Sequence, residues 1–252
     1  MPDTQTQQKR QLVVFDMDDT LITNNKWVDI NSFLGISGDD DYRLYMAFKN
    51  GDISYAEWMT ELDTLYDLEN KHVTRNEIVP ILQQVQLREG AKSLIDHLHR
   101  KGYITAIITG SFVITAHTIA DQLGIHHVVA NTSCVFDEND ELTGIHSRGT
   151  ESAMKNAYLL ELCSALNIEP TKDCYVVGDS IYDQPMFLTT GKGITFNEAT
   201  DELKDSALYS VDSFADIQKL LAALPLIAAG CDTGSKVSHI FFLWLTHTLH
   251  KS

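Results

Sequence analysis

The sequence has few cysteines and no apolar run long enough to cross a membrane. Its four cysteines are scattered among 252 residues without CxxC spacing, which argues against a zinc site and indicates reduced thiols that pack in the core. The amino-terminal segment MPDTQTQQKR is polar, so we expect no secretory signal and a cytoplasmic protein. Because a membrane span needs about 20 apolar residues, we expect no stable span either.

Basic residues are also scarce. The chain has 19 Lys and Arg against 35 Asp and Glu, which gives a formal net charge of -16 and a pI of about 4.8. This balance argues against a long electropositive track for nucleic acid. An anionic substrate would need local help from backbone amides, a lysine side chain or a metal ion.

The sequence does have a regular alternation of apolar, strand-length runs and amphipathic helical stretches. This pattern predicts an α/β fold, a Rossmann-like parallel sheet with helices on both faces, and 44% hydrophobic residues suffice for its core. The residues around Asp137–Asp140 predict a short hairpin that projects from the sheet. The predicted strands are Gln11–Asp18, Ile104–Gly110, His127–Asn131, Cys174–Asp179, Gly193–Phe196 and Leu208–Val211. The predicted helices are Gly90–Lys101, Phe112–Leu123, Thr150–Leu166, Asp183–Thr190 and Ser213–Leu224.

One segment breaks the alternation. Residues 23–85 show helical patterns only and are too long for an ordinary loop, so we predict an inserted α-helical cap above the carboxyl end of the first strand. The catalytic core would comprise residues 10–22 and 86–225. Residues 226–252 form a carboxyl-terminal tail of unknown role, whose apolar part, Val237–His250, fits an arm docked on the body, a subunit contact or a membrane-surface patch.

The stretch FDMDDTLI, Phe15–Ile22, places three carboxylates at the end of the first predicted strand. Asp16 and Asp18 are two residues apart, so their side chains point to the same side while the strand lasts. Crowded carboxylates cost electrostatic energy, and a divalent cation such as Mg²⁺ relieves it. Taken alone, the pattern also fits an ordinary acidic turn.

Other segments place polar residues at or beside the same edge of the sheet. Thr109 and Gly110 end the second strand at the head of the next helix, where backbone amides favour an anion. Asp179 ends a later strand and Asp183 follows one helical turn on, which suits a metal ligand with a partner behind it. Lys155, on the helix before that strand, could neutralise carboxylates and a bound phosphate. Each also fits a helix cap or a solvated helix face, and only together do they predict one site.

In this order the residues resemble the motifs of the haloacid dehalogenase-like (HAD) superfamily of phosphohydrolases. The family pattern DxDx[TV] is met by Asp16–Thr20, the second motif by Thr109, the lysine by Lys155 and the GDxxxD pattern by Gly178–Asp183. The resemblance extends over about residues 10 to 215. It is strongest to the phosphoserine phosphatase-like branch (subfamily IB), which shares the helical cap after the first motif.

The resemblance implies a role for each acidic residue of the first motif. Asp16 would be the nucleophile that forms an aspartyl-phosphate, and Asp18 would act as acid and then base. Mg²⁺ would be held by the side chains of Asp16 and Asp179 and by the backbone carbonyl of Asp18. The side chain of Asp19 is expected to face away, so that Asp19→Asn spares most activity.

The remaining motif residues would act on the phosphate. The resemblance implies that Thr109, the Gly110 amide and Lys155 bind the phosphoryl oxygens. Asp183 would orient either a water on the metal or Lys155.

The predicted function is a Mg²⁺-dependent phosphatase that hydrolyses a small-molecule phosphomonoester, with a phosphoserine-like metabolite as one candidate. We expect a monomer or homodimer whose partner is a small phosphorylated metabolite and not nucleic acid. Two alternatives stay open. One is phosphoryl transfer to an acceptor other than water, and the other is a catalytically silent binding module that kept the fold.

Overall fold

The computed structural model describes residues 10–222, so the predicted tail at residues 226–252 lies outside the described residues. Within them the strands form a seven-stranded sheet in the order β4-β3-β2-β1-β5-β6-β7. All neighbouring pairs are parallel except β3 and β4, which are antiparallel. The predicted α/β fold with a mostly parallel sheet is therefore confirmed. The strands are β1 (Leu12–Phe15), β2 (Ile104–Phe112), β3 (His127–Phe136), β4 (Leu142–Ser147), β5 (Cys174–Val177), β6 (Gly193–Phe196) and β7 (Tyr209–Val211).

The central strand β1 is apolar throughout because both faces of the sheet are covered. All four of its side chains are buried, which is why it lacks the alternation of a half-exposed strand. Val13 and Phe15 belong to the core on one face, and Leu12 and Val14 to the core on the other. The site-forming end of β1 is thereby held between two packed layers.

Between β1 and β2 lies a helical segment, residues 26–83. Its apolar side chains, such as Ile30, Leu62 and Ile78, form a third core cluster together with Phe112 of β2 and Ile145 of β4. The segment thus packs against one end of the sheet. Its division from the core as a separate cap domain stays a prediction. The helices are α1 (Lys26–Phe33), α2 (Gly38–Lys49), α3 (Tyr55–Tyr66), α4 (Leu68–Lys71) and α5 (Arg75–Gln83).

The remaining helices flank the sheet. Gly90 precedes the first of them in the left-handed region, with φ of 83°, a conformation that glycine adopts without strain. No helix within residues 10–222 is long and apolar enough to span a membrane. These helices are α6 (Ala91–Arg100), α7 (Val113–Leu123), α8 (Glu151–Leu166), α9 (Pro170–Asp173), α10 (Gln184–Thr190), α11 (Asp201–Ser206) and α12 (Phe214–Ala222).

The hairpin near Asp140 was predicted to project from the sheet, but in the structure its strands belong to the sheet. Strand β3 runs on from the parallel sheet to Phe136, and β4 pairs with it as the edge strand. Thr132 joins these strands to β2, because its hydroxyl donates to the Gly110 carbonyl at 2.7 Å. The turn also contacts the helical segment through an Arg75–Asp140 ion pair of 2.7 Å. The hairpin is therefore part of the sheet and a support for the helices.

Candidate active site

Three adjacent parallel strands bring the predicted residues together at one edge. Asp16 follows β1, Thr109 lies near the end of β2, and Asp179 follows β5 by two residues. The order β2-β1-β5 makes these strand ends neighbours. The Asp16 amide donates to the Val177 carbonyl at 2.9 Å, which fixes its backbone. Ligands commonly bind at this edge of open α/β sheets.

Lys155 is the central cation of the site. It projects from α8, is 1% exposed, and its Nζ lies 2.9 Å from Asp16, 2.9 Å from Asp183 and 2.8 Å from Glu151. Burial lowers the pKa of Lys155, but these carboxylates outweigh it and raise that pKa well above its ordinary value. One ammonium therefore faces three carboxylates, and the lysine stays charged.

An acidic cluster lies beside this lysine. One carboxylate oxygen from each of Asp16, Asp179 and Asp183 lies within 4.8 Å of the others. Burial raises the pKa of Asp16 well above its ordinary value, against the opposing effect of Lys155. Burial and the neighbouring Asp183 raise the pKa of Asp179 to about 7. The excess of buried negative charge fits a small divalent cation with oxygen ligands.

Hydrogen bonds to neighbouring groups fix the positions of Asp179 and Asp183. Asp183 accepts hydrogen bonds from the amides of Asp179 (3.2 Å) and Ser180 (3.1 Å). A side chain at Gly178 would collide with the Asp183 carboxylate, so glycine is required there for the close approach. The Thr20 hydroxyl donates to Asp179 at 2.5 Å. Asp183 thus supports both Lys155 and the Asp179 backbone.

Asp18 lies apart from this cluster, on the side of the helical segment. Its carboxylate accepts from the Lys26 amide at 3.1 Å and lies beside the Ser111 hydroxyl. Burial raises the pKa of Asp18 to about 6, although these two neighbours lower it in part. A carboxyl group with such a pKa can carry a proton near neutral pH.

Thr109 and Gly110 lie within a strand and not at a helix start, which corrects one prediction. Strand β2 continues to Phe112 and α7 begins at Val113, because pairing with β3 extends that far. Thr109 is buried, and its hydroxyl accepts from the Ser111 amide at 3.0 Å. Thr109 and Gly110 can therefore offer an anion groups of a strand, beside Lys155, and not the first residues of α7.

Glu151 is a site residue that the sequence reasoning missed. Its carboxyl group lies directly against Gly110, where an added Cβ would collide with it, and it is bound to Lys155. The available signal was its position four residues before Lys155 on one helix, a spacing at which a Glu and Lys pair. Asp19 is exposed, as expected, with its backbone at φ of 55°.

Comparisons with known proteins agree with this geometry. A family model described as haloacid dehalogenase-like hydrolase matches residues 11–189. Phosphoserine phosphatase from Saccharomyces cerevisiae is 30% identical over 206 residues, which cover 77% of this chain and 62% of that protein. Phosphoserine phosphatase from Archaeoglobus fulgidus is 30% identical over 200 residues, covering 79% of this chain and 56% of that protein. The chain thus spans about three fifths of the length of these two relatives.

A solved structure supports the fold independently. A phospho-aspartyl intermediate analogue of phosphoserine phosphatase superimposes with a TM-score of 0.70 at 24% identity, covering 84% of this chain and 99% of that one. This likeness confirms the fold, and the family model with the two phosphoserine phosphatase relatives confirms the predicted resemblance to the phosphoserine phosphatase-like branch.

Proposed function

Because the chain belongs to the haloacid dehalogenase-like hydrolase family, we propose that it is a Mg²⁺-dependent phosphatase acting on a small-molecule phosphomonoester. The observation that carries the proposal is the buried Lys155, which joins Asp16 and Asp183 beside the acidic cluster. Such a set can neutralise a phosphoryl group while presenting a carboxylate to phosphorus.

Asp16 would act as the nucleophile. Its backbone is fixed at the end of β1, and Lys155 orients one of its oxygens. Attack by a carboxylate oxygen forms a bond to phosphorus while the bond from phosphorus to the ester oxygen breaks. The resulting aspartyl-phosphate is then hydrolysed, which divides one difficult displacement into two easier ones.

Asp18 would supply and later remove the proton. Its pKa of about 6 keeps a useful fraction protonated near neutral pH, so it can protonate the departing ester oxygen. The carboxylate left behind can then deprotonate the water that attacks the aspartyl-phosphate. The bond from the Lys26 amide supports Asp18 in this position.

The phosphoryl oxygens would be bound by Thr109, the Gly110 amide and Lys155. Asp16 and Asp179, with the backbone carbonyl of Asp18, would hold Mg²⁺, and when bound the ion would neutralise negative charge on the phosphoryl group. Asp183 would keep Lys155 and the Asp179 backbone in place, as its hydrogen bonds suggest.

Residues 23–85, which contain the helical segment, would act as the cap over this site and select the leaving group. Its helices pack against β2 and β4 beside the catalytic edge, and its first residues contact Asp18 through Lys26. Since the relatives above are named phosphoserine phosphatases, O-phosphoserine is the first substrate to test. A cytoplasmic location and a monomer or homodimer are part of the same proposal.

The decisive experiment measures phosphate release by the purified full chain. We expect Mg²⁺-dependent hydrolysis of an aryl phosphate, loss of that activity in Asp16→Asn, and near-normal activity in the matched control Asp19→Asn. Equal release of phosphate and alcohol distinguishes hydrolysis from transfer to another acceptor. A wild-type protein that releases no phosphate from aryl phosphate or O-phosphoserine, or an active Asp16→Asn variant, would contradict the proposal.

A further inference from the structure

Lys26 is a second buried lysine, outside the set of proposed phosphate-binding residues. It is the first residue of α1 and is 1% exposed. Its ammonium donates to Asp29 at 2.8 Å, to the Ile81 carbonyl at 3.1 Å and to the Gln84 carbonyl. A lysine ammonium has three protons, and each has an acceptor here. Such complete pairing of a buried charge indicates a fixed position.

The acceptors of Lys26 connect the two ends of the helical segment. The Ile81 and Gln84 carbonyls lie at the carboxyl end of α5, where the negative end of the helix dipole favours a cation. Lys26 itself stands at the start of α1. One side chain therefore ties the entrance of the segment to its exit.

Backbone pairing around Lys26 makes this junction a single unit. The Thr23 amide donates to the Gln86 carbonyl at 2.9 Å, and the Gln86 amide donates to the Asn24 side chain at 3.0 Å. The Asn24 side chain also donates to the Gln84 carbonyl at 3.1 Å. Hydrogen bonds thus join the two segments that connect the sheet to the helices, residues 23–26 and 84–86. The Lys26 ammonium adds to them through its bond to the Gln84 carbonyl.

The backbone of the same residue reaches the proposed acid. The Lys26 amide donates to Asp18 Oδ1 at 3.1 Å. The direction of the Asp18 carboxyl group therefore depends on a backbone segment that the Lys26 ammonium fixes. Proton transfer needs donor and acceptor within hydrogen-bond reach, so small displacements of this amide matter.

We propose that Lys26 is a positioning residue for Asp18, acting through the junction between the helical segment and the sheet. The inference rests on the proposed phosphatase function. In the step concerned, the bond from phosphorus to the ester oxygen breaks and that oxygen takes the proton of Asp18. Substrates whose leaving group departs readily as an anion need this proton little, whereas alkyl esters need it strongly.

The test compares two substrates in wild type, Lys26→Met and a matched control, Lys71→Met. Lys71 also donates to a carbonyl at a helix end, that of Leu34, but it has no contact with Asp18 among those described. The substrates are 2-hydroxyethyl phosphate and 2,4-dinitrophenyl phosphate, and kcat/KM is measured because it reports the step in which the ester bond breaks. Thermal unfolding of each variant accompanies the kinetics.

We expect Lys26→Met to lower kcat/KM for the alkyl ester about tenfold or more, a part of the roughly 10²–10⁴ that a general acid contributes. The value for the dinitrophenyl ester should stay within about twofold of wild type. Lys71→Met should leave the ratio of the two substrates unchanged. If Lys26→Met does not fold, Asp29→Asn removes the negative charge of one of the three acceptors and should cause a smaller loss with the same selectivity.

Three results would overturn the inference. Equal losses for both esters in Lys26→Met, or in Asp29→Asn where that variant carries the test, would indicate a purely structural lysine. The same selective loss in Lys71→Met would show that any damage to the helical segment suffices. No hydrolysis of either ester by the wild-type protein would refute the phosphatase function itself, and the role of Lys26 in it.

Discussion

The two ends of strand β2 differ in how their polar side chains are paired. At the amino end, Thr105 lies between two histidines. Its hydroxyl is 2.9 Å from His99 Nε2, and its amide donates to His126 Nδ1 at 3.1 Å. At the carboxyl end, beside Gly110, Lys155 faces three carboxylates. The amino end therefore has neutral, hydrogen-bonded side chains, whereas the carboxyl end, called the charged end below, has more carboxylates than cations.

Desolvation acts on both ends, but with different results. Burial lowers the pKa of His126 to about 4, and the neutral ring suits the amide bond that it accepts. Burial likewise raises the pKa of Asp179 to about 7, yet protonation there would remove a negative charge from the acidic cluster. The amino end of β2 therefore has its polar groups paired with one another, whereas the carboxyl end carries an excess of buried negative charge that the proposed cation would balance. Sites of function commonly accept such a cost in stability.

The largest effect should come from removing the cation of the charged end. Lys155→Met leaves Asp16, Asp183 and Glu151 without their shared partner, and breaking a buried ion pair costs about 3–5 kcal/mol. We expect loss of phosphatase activity and a free energy of unfolding lower by that amount, measured by urea denaturation. The control, Lys219→Met, removes an exposed lysine and should change stability by less than about 0.5 kcal/mol. Comparable stability of the two variants would contradict the charge imbalance described for this end.

Adding a divalent cation should stabilise the charged end. Binding to the folded state alone stabilises it by about 2.7 kcal/mol when free Mg²⁺ is 100 times its Kd. We expect a rise in the thermal unfolding midpoint with Mg²⁺ that chelation reverses. Asp179→Asn should abolish this rise, because it removes one member of the acidic cluster. Asp19→Asn, in which the lost charge is exposed, should keep it, and an unchanged Mg²⁺ response in Asp179→Asn would place the metal elsewhere.

Much of this charged end could be predicted from the sequence, because its residues follow apolar strands. A buried parallel strand is indicated by a nearly continuous apolar run. Strand β6, for example, was predicted with its observed bounds, Gly193–Phe196. The same logic placed Asp16, Thr109 and Asp179 at one edge. Their meeting there follows from strand order, which only tertiary structure fixes.

Other features depend on contacts between distant segments and left no local pattern. The continuation of β3 into a shared edge with β4 depends on pairing with β2 beyond Thr109, which a hairpin pattern does not reveal. In the sequence, nothing distinguishes Lys26 from an ordinary surface lysine. Its burial depends on the carboxyl end of α5, which the folded chain places beside it. Glu151 reads as a helix-start acid, although its carboxyl group lies against Gly110.

Glu151 offers a sharper test of the charge imbalance. Its carboxylate lies against the same groups that the proposed function assigns to phosphate, Gly110 and Lys155, so it competes with an incoming anion. We expect Glu151→Gln to bind inorganic phosphate about tenfold more tightly, or about 1.4 kcal/mol, in calorimetric titrations. Glu161→Gln, an exposed position on the same helix, is the matched control. Weaker phosphate binding in Glu151→Gln would mean that Glu151 assists the site and does not oppose the anion.

The smallest effect concerns the neutral end of β2 and its response to acid. The pKa of His126 is about 4 in the folded chain against an ordinary value of 6.5, so the unfolded chain binds more protons between these pH values. Stability from this residue is therefore complete above pH 6.5 and is lost as pH falls through 4. Because His126 is partly exposed to solvent, the loss should be about 1 kcal/mol or less.

The measurement is the free energy of unfolding between these pH values in wild type and in His126→Asn, whose side-chain oxygen can still accept from the Thr105 amide. The variant should show a flatter pH dependence than wild type, since it lacks the group that gains a proton on unfolding. His117→Asn, an exposed histidine on α7, controls for the loss of any histidine. An equally flattened profile in that control, or an unchanged profile in His126→Asn, would show that the amino end of β2 does not depend on a neutral imidazole, and the contrast between the two ends would then rest on the carboxyl end alone.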